Sequence, residues 1–163
     1  MCWPEGGLYS NTWGGDPRSA KAALTAIEII SNGLVTNARQ TGSLFNLYFD
    51  LAFRAQKLSG IEKLGIQIYT SIRFDQFIVD RDIIVDFGGV GLMRRIKFED
   101  KNGDPLPDLR NKVKEEARAR HILLMSCGDS ALRIMPPLVI SEDEIKWLAK
   151  ELAESIAAAL QHI

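Results

Sequence analysis

The sequence predicts an α+β fold, a small sheet covered by helices and preceded by two helices that follow one another closely. Three observations predict it. Apolar residues recur every three or four positions through the first third of the chain, alternate between Leu64 and Phe98, and return to helical spacing in a long C-terminal stretch with strong start signals. The 163 residues are 46% hydrophobic and 25% charged with a formal net charge of -1, a globular composition without the basic bias of a polyanion binder. Nucleic acid is therefore not an expected partner. Met1 to Gly7 has no basic or apolar signal region, and no stretch approaches the roughly 20 apolar residues of a membrane span. Cys2 and Cys127 are too few for a disulfide framework and read as reduced thiols in a cytoplasmic protein.

Met1 to Tyr9 reads as irregular chain, with Pro4, Gly6 and Gly7 as breakers. A loop from Asn11 to Asp16 then feeds a helix, with Asp16 as N-cap and Pro17 at the first helical position. Ala20, Ala23, Leu24, Ile27 and Ile30 form its stripe, and Asn32-Gly33 ends it. That stripe has no evident partner within the chain, so marginal stability or self-association is expected. A second helix is predicted over Leu34 to Lys57, with Leu34, Ala38, Phe45, Tyr48, Phe49 and Ala52 on or near one face and Ser59-Gly60 closing it. Gly42 in its interior costs about 1 kcal/mol of helix propensity.

Short strands are predicted at Leu64–Tyr69, Phe74–Val79, Ile83–Val85 and Leu92–Phe98, in an antiparallel or mixed sheet. Asn102-Gly103 marks a turn, Leu109 to Arg120 a mostly polar helix touching the core through Leu109, Val113 and Ala117, and Ile122 to Met125 a buried strand. A turn at Gly128 and Asp129 precedes a strand from Ala131 to Met135, which the Pro136-Pro137 step ends. Ser141 and Glu144 then form a capping box, Ile140 and Ile145 a hydrophobic staple, and Ile145, Leu148, Leu152, Ile156 and Leu160 a continuous stripe. His121 and His162 show no metal-ligand spacing.

Arg133 stands out on the strand before the prolines. Leu132 and Ile134 face one way while Ala131, Arg133 and Met135 face the other, so a guanidinium is carried among apolar neighbours and needs an anion. Two readings are open. One is a structural pair with a carboxylate of this chain, or a side chain that snorkels to solvent; the other is a planar fork aimed at a substrate carboxylate.

The run ALRIMPPLVISEDEI after HILLMSCGD closely resembles the C-terminal signature of the class III aminotransferases, the pyridoxal-phosphate enzymes of ornithine, acetylornithine, 4-aminobutyrate and lysine epsilon type. Ser10-Asn11-Thr12-Trp13-Gly14-Gly15-Asp16-Pro17 is similar to the family's Thr-aromatic-Gly-Gly-Asn-Pro loop, and Val90-Gly91-Leu92-Met93 to its strand beginning with glycine, leucine and methionine. The chain departs from the family in extra residues after Lys57, and in Asp86-Phe87-Gly88-Gly89 where Val-Arg-Gly is expected.

The resemblance implies the C-terminal small domain of a fold type I aminotransferase over 58–163, with 1–57 as the cofactor-phosphate loop and junction helices of the large-domain edge. It implies that Arg133 binds the substrate carboxylate, or pairs with an active-site glutamate further upstream. It also implies that Thr12 hydrogen-bonds the phosphate of pyridoxal 5'-phosphate in the partner subunit of a homodimer. A glycine-containing loop before a helix suits an anion, though a plain capped turn has the same sequence. The implied reaction moves an amino group from an omega-amino acid or related donor to a 2-oxo acid such as 2-oxoglutarate. The family's Schiff-base lysine lies before the Thr12 loop, and Lys21, Lys57, Lys63, Lys97, Lys101, Lys112, Lys114, Lys146 and Lys150 all read as solvated. The chain alone is therefore expected to be inactive. An alternative is a stand-alone small domain that serves as an interaction module.

Overall fold

The computed structural model describes residues 12–56, 62–69, 72–79 and 83–161, the segments 62–69 and 72–79 by their backbone alone. The readings at Met1 to Tyr9, Cys2, Lys57, Ser59-Gly60 and His162, and at the Lys63 side chain, lie outside the described residues. Two compact units divide the chain, Met1–Val35 and Thr36–Ile163.

In the first unit, helix α1 spans Pro17–Ile29. Its start follows from local chemistry: Pro17 needs no N–H partner in the first turn, and Asp16, extended at φ -66° and ψ 125°, accepts from the Ser19 N–H. Leu24, Ile27 and Ile29 are exposed, and no residue of the helix is buried. At the predicted break a π-helical segment, Ile30–Leu34, carries the chain onward, with Asn32 at ψ 57° and Gly33 at φ 95° outside helical geometry.

The second unit holds helix α2, Val35–Arg54, from Thr36 onward. The strands are β1 Glu62–Tyr69, β2 Ile72–Val79, β3 Ile83–Val90, β4 Met93–Asp100, β5 Met125–Cys127 and β6 Ala131–Ile134, with helix α3 at Pro107–Ala119 and α4 at Glu142–Leu160. All strand pairs are antiparallel, in the order β1-β2-β3-β4-β6-β5. The α+β expectation holds. Strand bounds shift by one or two residues in β1, β2, β4 and β6, and further in the other two: β3 runs through Gly88 and Gly89 to Val90, and the edge strand begins at Met125 where Ile122 to Met125 was expected. Ile122 and Leu124 are buried, but this alternation reflects packing beneath the sheet without a ladder.

One face of the sheet carries the core. Val85, Phe87, Ile96, Phe98, Leu132 and Ile134 point to that side and meet α2, α3 and α4. Phe49 of α2 stacks on Phe87 at 4.2 Å between ring centroids, and Phe45 meets Phe87 edge-on at 5.4 Å. Gly42 lets the same helix cross the β3–β4 turn, because a Cβ there would lie 2.5 Å from the Gly91 carbonyl carbon and 2.8 Å from its Cα. Gly91 itself turns the hairpin at φ +54°. The buried Arg94 guanidinium fastens the crossing, donating to the Gly42 carbonyl and to the Gly89 carbonyl at 2.9 Å.

Helix α4 starts with the predicted capping box. The Glu144 carboxylate accepts from the Ser141 N–H at 2.8 Å, while the Ser141 hydroxyl accepts from the Glu144 N–H at 3.3 Å. Bonding from the Ser141 backbone holds the Glu144 carboxyl below its ordinary range. Its contribution to stability is therefore present above the ordinary carboxylate pKa and lost as pH falls through the lower folded value. Glu144→Gln is expected to remove that component of acid destabilisation, read as a smaller fall in thermal midpoint between neutral and acid pH. An unchanged pH profile would show that the box does not hold in solution.

Candidate functional site on the open face of the sheet

On β3, β4 and β6 the face of the sheet away from the helices carries Asp86, Arg95, Lys97 and Arg133, while the buried Arg94 lies on the helix side. On β6, buried Leu132 and Ile134 fix the alternation, so Arg133 projects from the opposite side and is exposed. Its cross-strand neighbours are Arg95 on β4 and Met125 on β5. Among the described residues no carboxylate forms an ion pair with Arg133. The structural-pair reading of Arg133 finds no support there.

Arg95 has a partner. Its Nη2 donates to Asp86 Oδ2 at 2.7 Å, reaching from β4 to the neighbouring β3. Asp86 is buried, and burial outweighs the Arg95 guanidinium, so its carboxyl is pushed above the usual range. Lys97, on the same face of β4, pairs with Glu99. Gly88 lies directly opposite Arg95 and places no side chain beside it. The sequence reading singled out Arg133 and gave no role to Arg95 or Asp86. Their meeting depends on the β3–β4 and β4–β6 registers, which no local pattern fixes.

Thr12 stands exposed at the start of the turn that leads into α1, in the other unit. The Asp16 N–H donates to the Trp13 carbonyl at 3.2 Å, and the Ser19 N–H to Asp16 Oδ2 at 3.0 Å. That bond from Ser19 lowers the Asp16 carboxyl pKa. Asp16 thus occupies the helix end, its carboxylate taking the Ser19 N–H that an anion there would otherwise use. The exposed Thr12 hydroxyl can donate to a phosphate, and the described residues hold no buried amine to anchor a cofactor covalently. None of the described lysines is buried: Lys150 pairs with Glu154 at 3.6 Å, Lys146 lies 5.9 Å from the centre of the Tyr48 ring, and Lys114 reaches Ser126 Oγ at 3.4 Å.

Two further features bear on the site. A cleft of about 540 Å³ is lined by Leu123, Met135, Pro136, Pro137 and Trp147, but Glu144 on its wall is already held by the capping box. Among the described residues no cluster of three His, Cys, Asp or Glu could hold a metal ion, and no helix is long and apolar enough to cross a membrane.

The sequence pattern of the family described as "Aminotransferase class-III" matches residues 2–156. The chain belongs to that family. The class III relatives include the acetylornithine aminotransferase of Prochlorococcus marinus (strain MIT 9313), 28% identical over 154 residues that cover 94% of this chain and 30% of that protein. The 2-aminoadipate transaminase of Pseudomonas putida is 31% identical over 161 residues, 96% of this chain and 32% of that protein. The chain thus spans about 30% of the length of the curated relatives it matches. Solved structures show the same fold. A transaminase from the marine bacterium Virgibacillus aligns with a TM-score of 0.68 at 18% identity, over 95% of this chain and 31% of that one. The ornithine aminotransferase of Toxoplasma gondii aligns with a TM-score of 0.65 at 19% identity, over 96% and 30%.

Proposed function

We propose that this class III chain is the C-terminal part of a pyridoxal-phosphate transaminase that moves an amino group from an omega-amino acid or related donor to a 2-oxo acid such as 2-oxoglutarate. The donor is of 4-aminobutyrate, ornithine or acetylornithine type, the last two matching the names of relatives. One observation carries the reading. Arg133 presents an exposed guanidinium on the open face of the sheet, just before a rigid Pro136-Pro137 step, without a carboxylate partner among the described residues. A planar fork fixed on a strand suits a substrate carboxylate, which it holds in plane through two parallel hydrogen bonds.

In this reading Arg133 orients the substrate, and Thr12 donates its hydroxyl to the phosphate of the cofactor held by the partner subunit of a homodimer. Pyridoxal phosphate, when bound, supplies the electron sink for the reaction. Residues 1–57 belong to the large-domain edge and 58–163 to the small domain, the setting is cytoplasmic, and the chain does not transaminate by itself.

Titration of the chain with 2-oxoglutarate, followed through the arginine Nε–H resonances, tests the role of Arg133. Saturable shifts at Arg133 are expected, and Arg133→Met is expected to weaken binding by about tenfold or more, the loss of a charge-assisted pair. Equal affinity in the variant removes Arg133 from the site. Cofactor addition followed by borohydride is expected to leave no adduct on a specific lysine; such an adduct accompanied by turnover would show that the chain carries its own catalytic amine.

A further inference from the structure

We propose that Met125 is a redox modification site: a hydroperoxide converts its thioether to the sulfoxide, and the new oxygen engages the guanidinium of Arg133 in competition with a carboxylate ligand. The effect on ligand binding rests on the reading of Arg133 as a carboxylate binder. The contact between the oxidised side chain and Arg133 does not.

The sheet register brings the two side chains together. Met125 and Arg133 are directly opposite on the antiparallel strands β5 and β6, so they leave the same face from Cβ atoms about 4.5–5.5 Å apart, within reach of one another. Leu132 and Ile134, on either side of Arg133 in sequence, are buried and keep it from turning inward. On its other flank Arg133 faces Arg95, whose guanidinium only donates and offers it no acceptor. Met125 is 60% exposed and belongs to the outermost of the described strands, so a small oxidant reaches its side chain without unfolding of the sheet.

The reduced thioether is a weak acceptor and does not compete with a carboxylate. In the step itself the sulfur lone pair attacks the outer oxygen of the hydroperoxide. An S–O bond forms as the O–O bond breaks, sulfur loses two electrons, and the departing oxygen takes the proton of the transferred hydroxyl to leave as water or an alcohol. The sulfoxide oxygen is a strong, neutral acceptor. Held one strand away from Arg133, it makes a hydrogen bond that a ligand must displace before it binds. Met93 and Met135 are 68% and 53% exposed and meet the same oxidant, but neither is the cross-strand partner of Arg133. They serve as internal controls.

The test treats the whole chain with hydrogen peroxide until peptide mass analysis shows one added oxygen on Met125, then follows the arginine Nε–H resonances and the affinity for 2-oxoglutarate. The Arg133 resonance is expected to shift on oxidation with no ligand present, and the affinity to fall about three- to tenfold, the effect of one competing hydrogen bond. Met125→Leu treated alike is expected to keep both unchanged, although its other methionines are oxidised. Met125→Gln, which carries an amide oxygen at similar reach, is expected to reproduce the fall without oxidant. An Arg133 resonance that stays in place once Met125 carries the oxygen overturns the proposal, as does an equal fall in affinity in the leucine variant, or oxidation of Met93 with Met125 spared. An affinity of the untreated chain that survives Arg133→Met overturns the reading beneath it, and the ligand-free resonance shift then decides the contact by itself.

Discussion

Gly42→Ala is expected to destabilise the chain by about 3 kcal/mol or more, although helix propensity alone predicts a gain of about 1 kcal/mol. The opposite signs make this a sharp experiment. The added methyl group meets the backbone of Gly91, including its carbonyl oxygen, and peptide atoms have no rotamer through which to withdraw. Helix α2 must lift from the β3–β4 turn, and Arg94 resists because its guanidinium donates to Gly42 on the helix and Gly89 on the strand. Urea unfolding followed by circular dichroism measures the change. A stabilised variant would show that α2 does not cross the hairpin at this residue.

Phe49→Ala is expected to cost about 3–5 kcal/mol, a large share of the roughly 5–15 kcal/mol that holds an ordinary domain together. Phe49 is fully buried, stacked on Phe87 at 4.2 Å and on Phe53 at 5.6 Å, so truncation leaves a cavity bounded by two rings and the sheet. Phe87 is the neighbour of Asp86 on β3, and loss of its packing loosens the strand that positions Arg95 on the other face. Phe49→Leu is expected to recover more than half of the loss. A change below about 1 kcal/mol in the alanine variant, by the same unfolding measurement, would mean that α2 is not seated on the sheet.

These two residues also mark where the sequence was legible and where it was not. Phe49 lies on a helical stripe that periodicity assigns to the core, and the structure buries it. Gly42 lies on the same helix and read only as a weak point, because its partner is Gly91 and the two meet through tertiary crossing. Local chemistry set the helix starts. Asp16 with Pro17 and Ser141 with Glu144 satisfy donors within one turn, so their signals survive without knowledge of the fold. Strand limits were harder: Gly88 and Gly89 have low strand propensity yet pair with β4, and the apolar run Ile122, Leu123 and Leu124 joins no ladder.

The candidate site divides in the same way. Alternation around Leu132 and Ile134 was enough to place Arg133 on the face away from the core. The cross-strand pair with Arg95 and the buried partner Asp86 required two registers at once. In this sheet a side chain's direction is a local property, whereas its company is a property of topology.

The strand order β4-β6-β5 has a consequence for synthesis. The slot between β4 and β5 is filled by β6, the last of the described strands, so a nascent polypeptide that has emerged only as far as Cys127 shows bare peptide groups along β4. Such an edge invites pairing with another copy until Ala131–Ile134 leaves the ribosome and folds in between. Stalled chains released before that segment are accordingly expected to aggregate more than chains that include it.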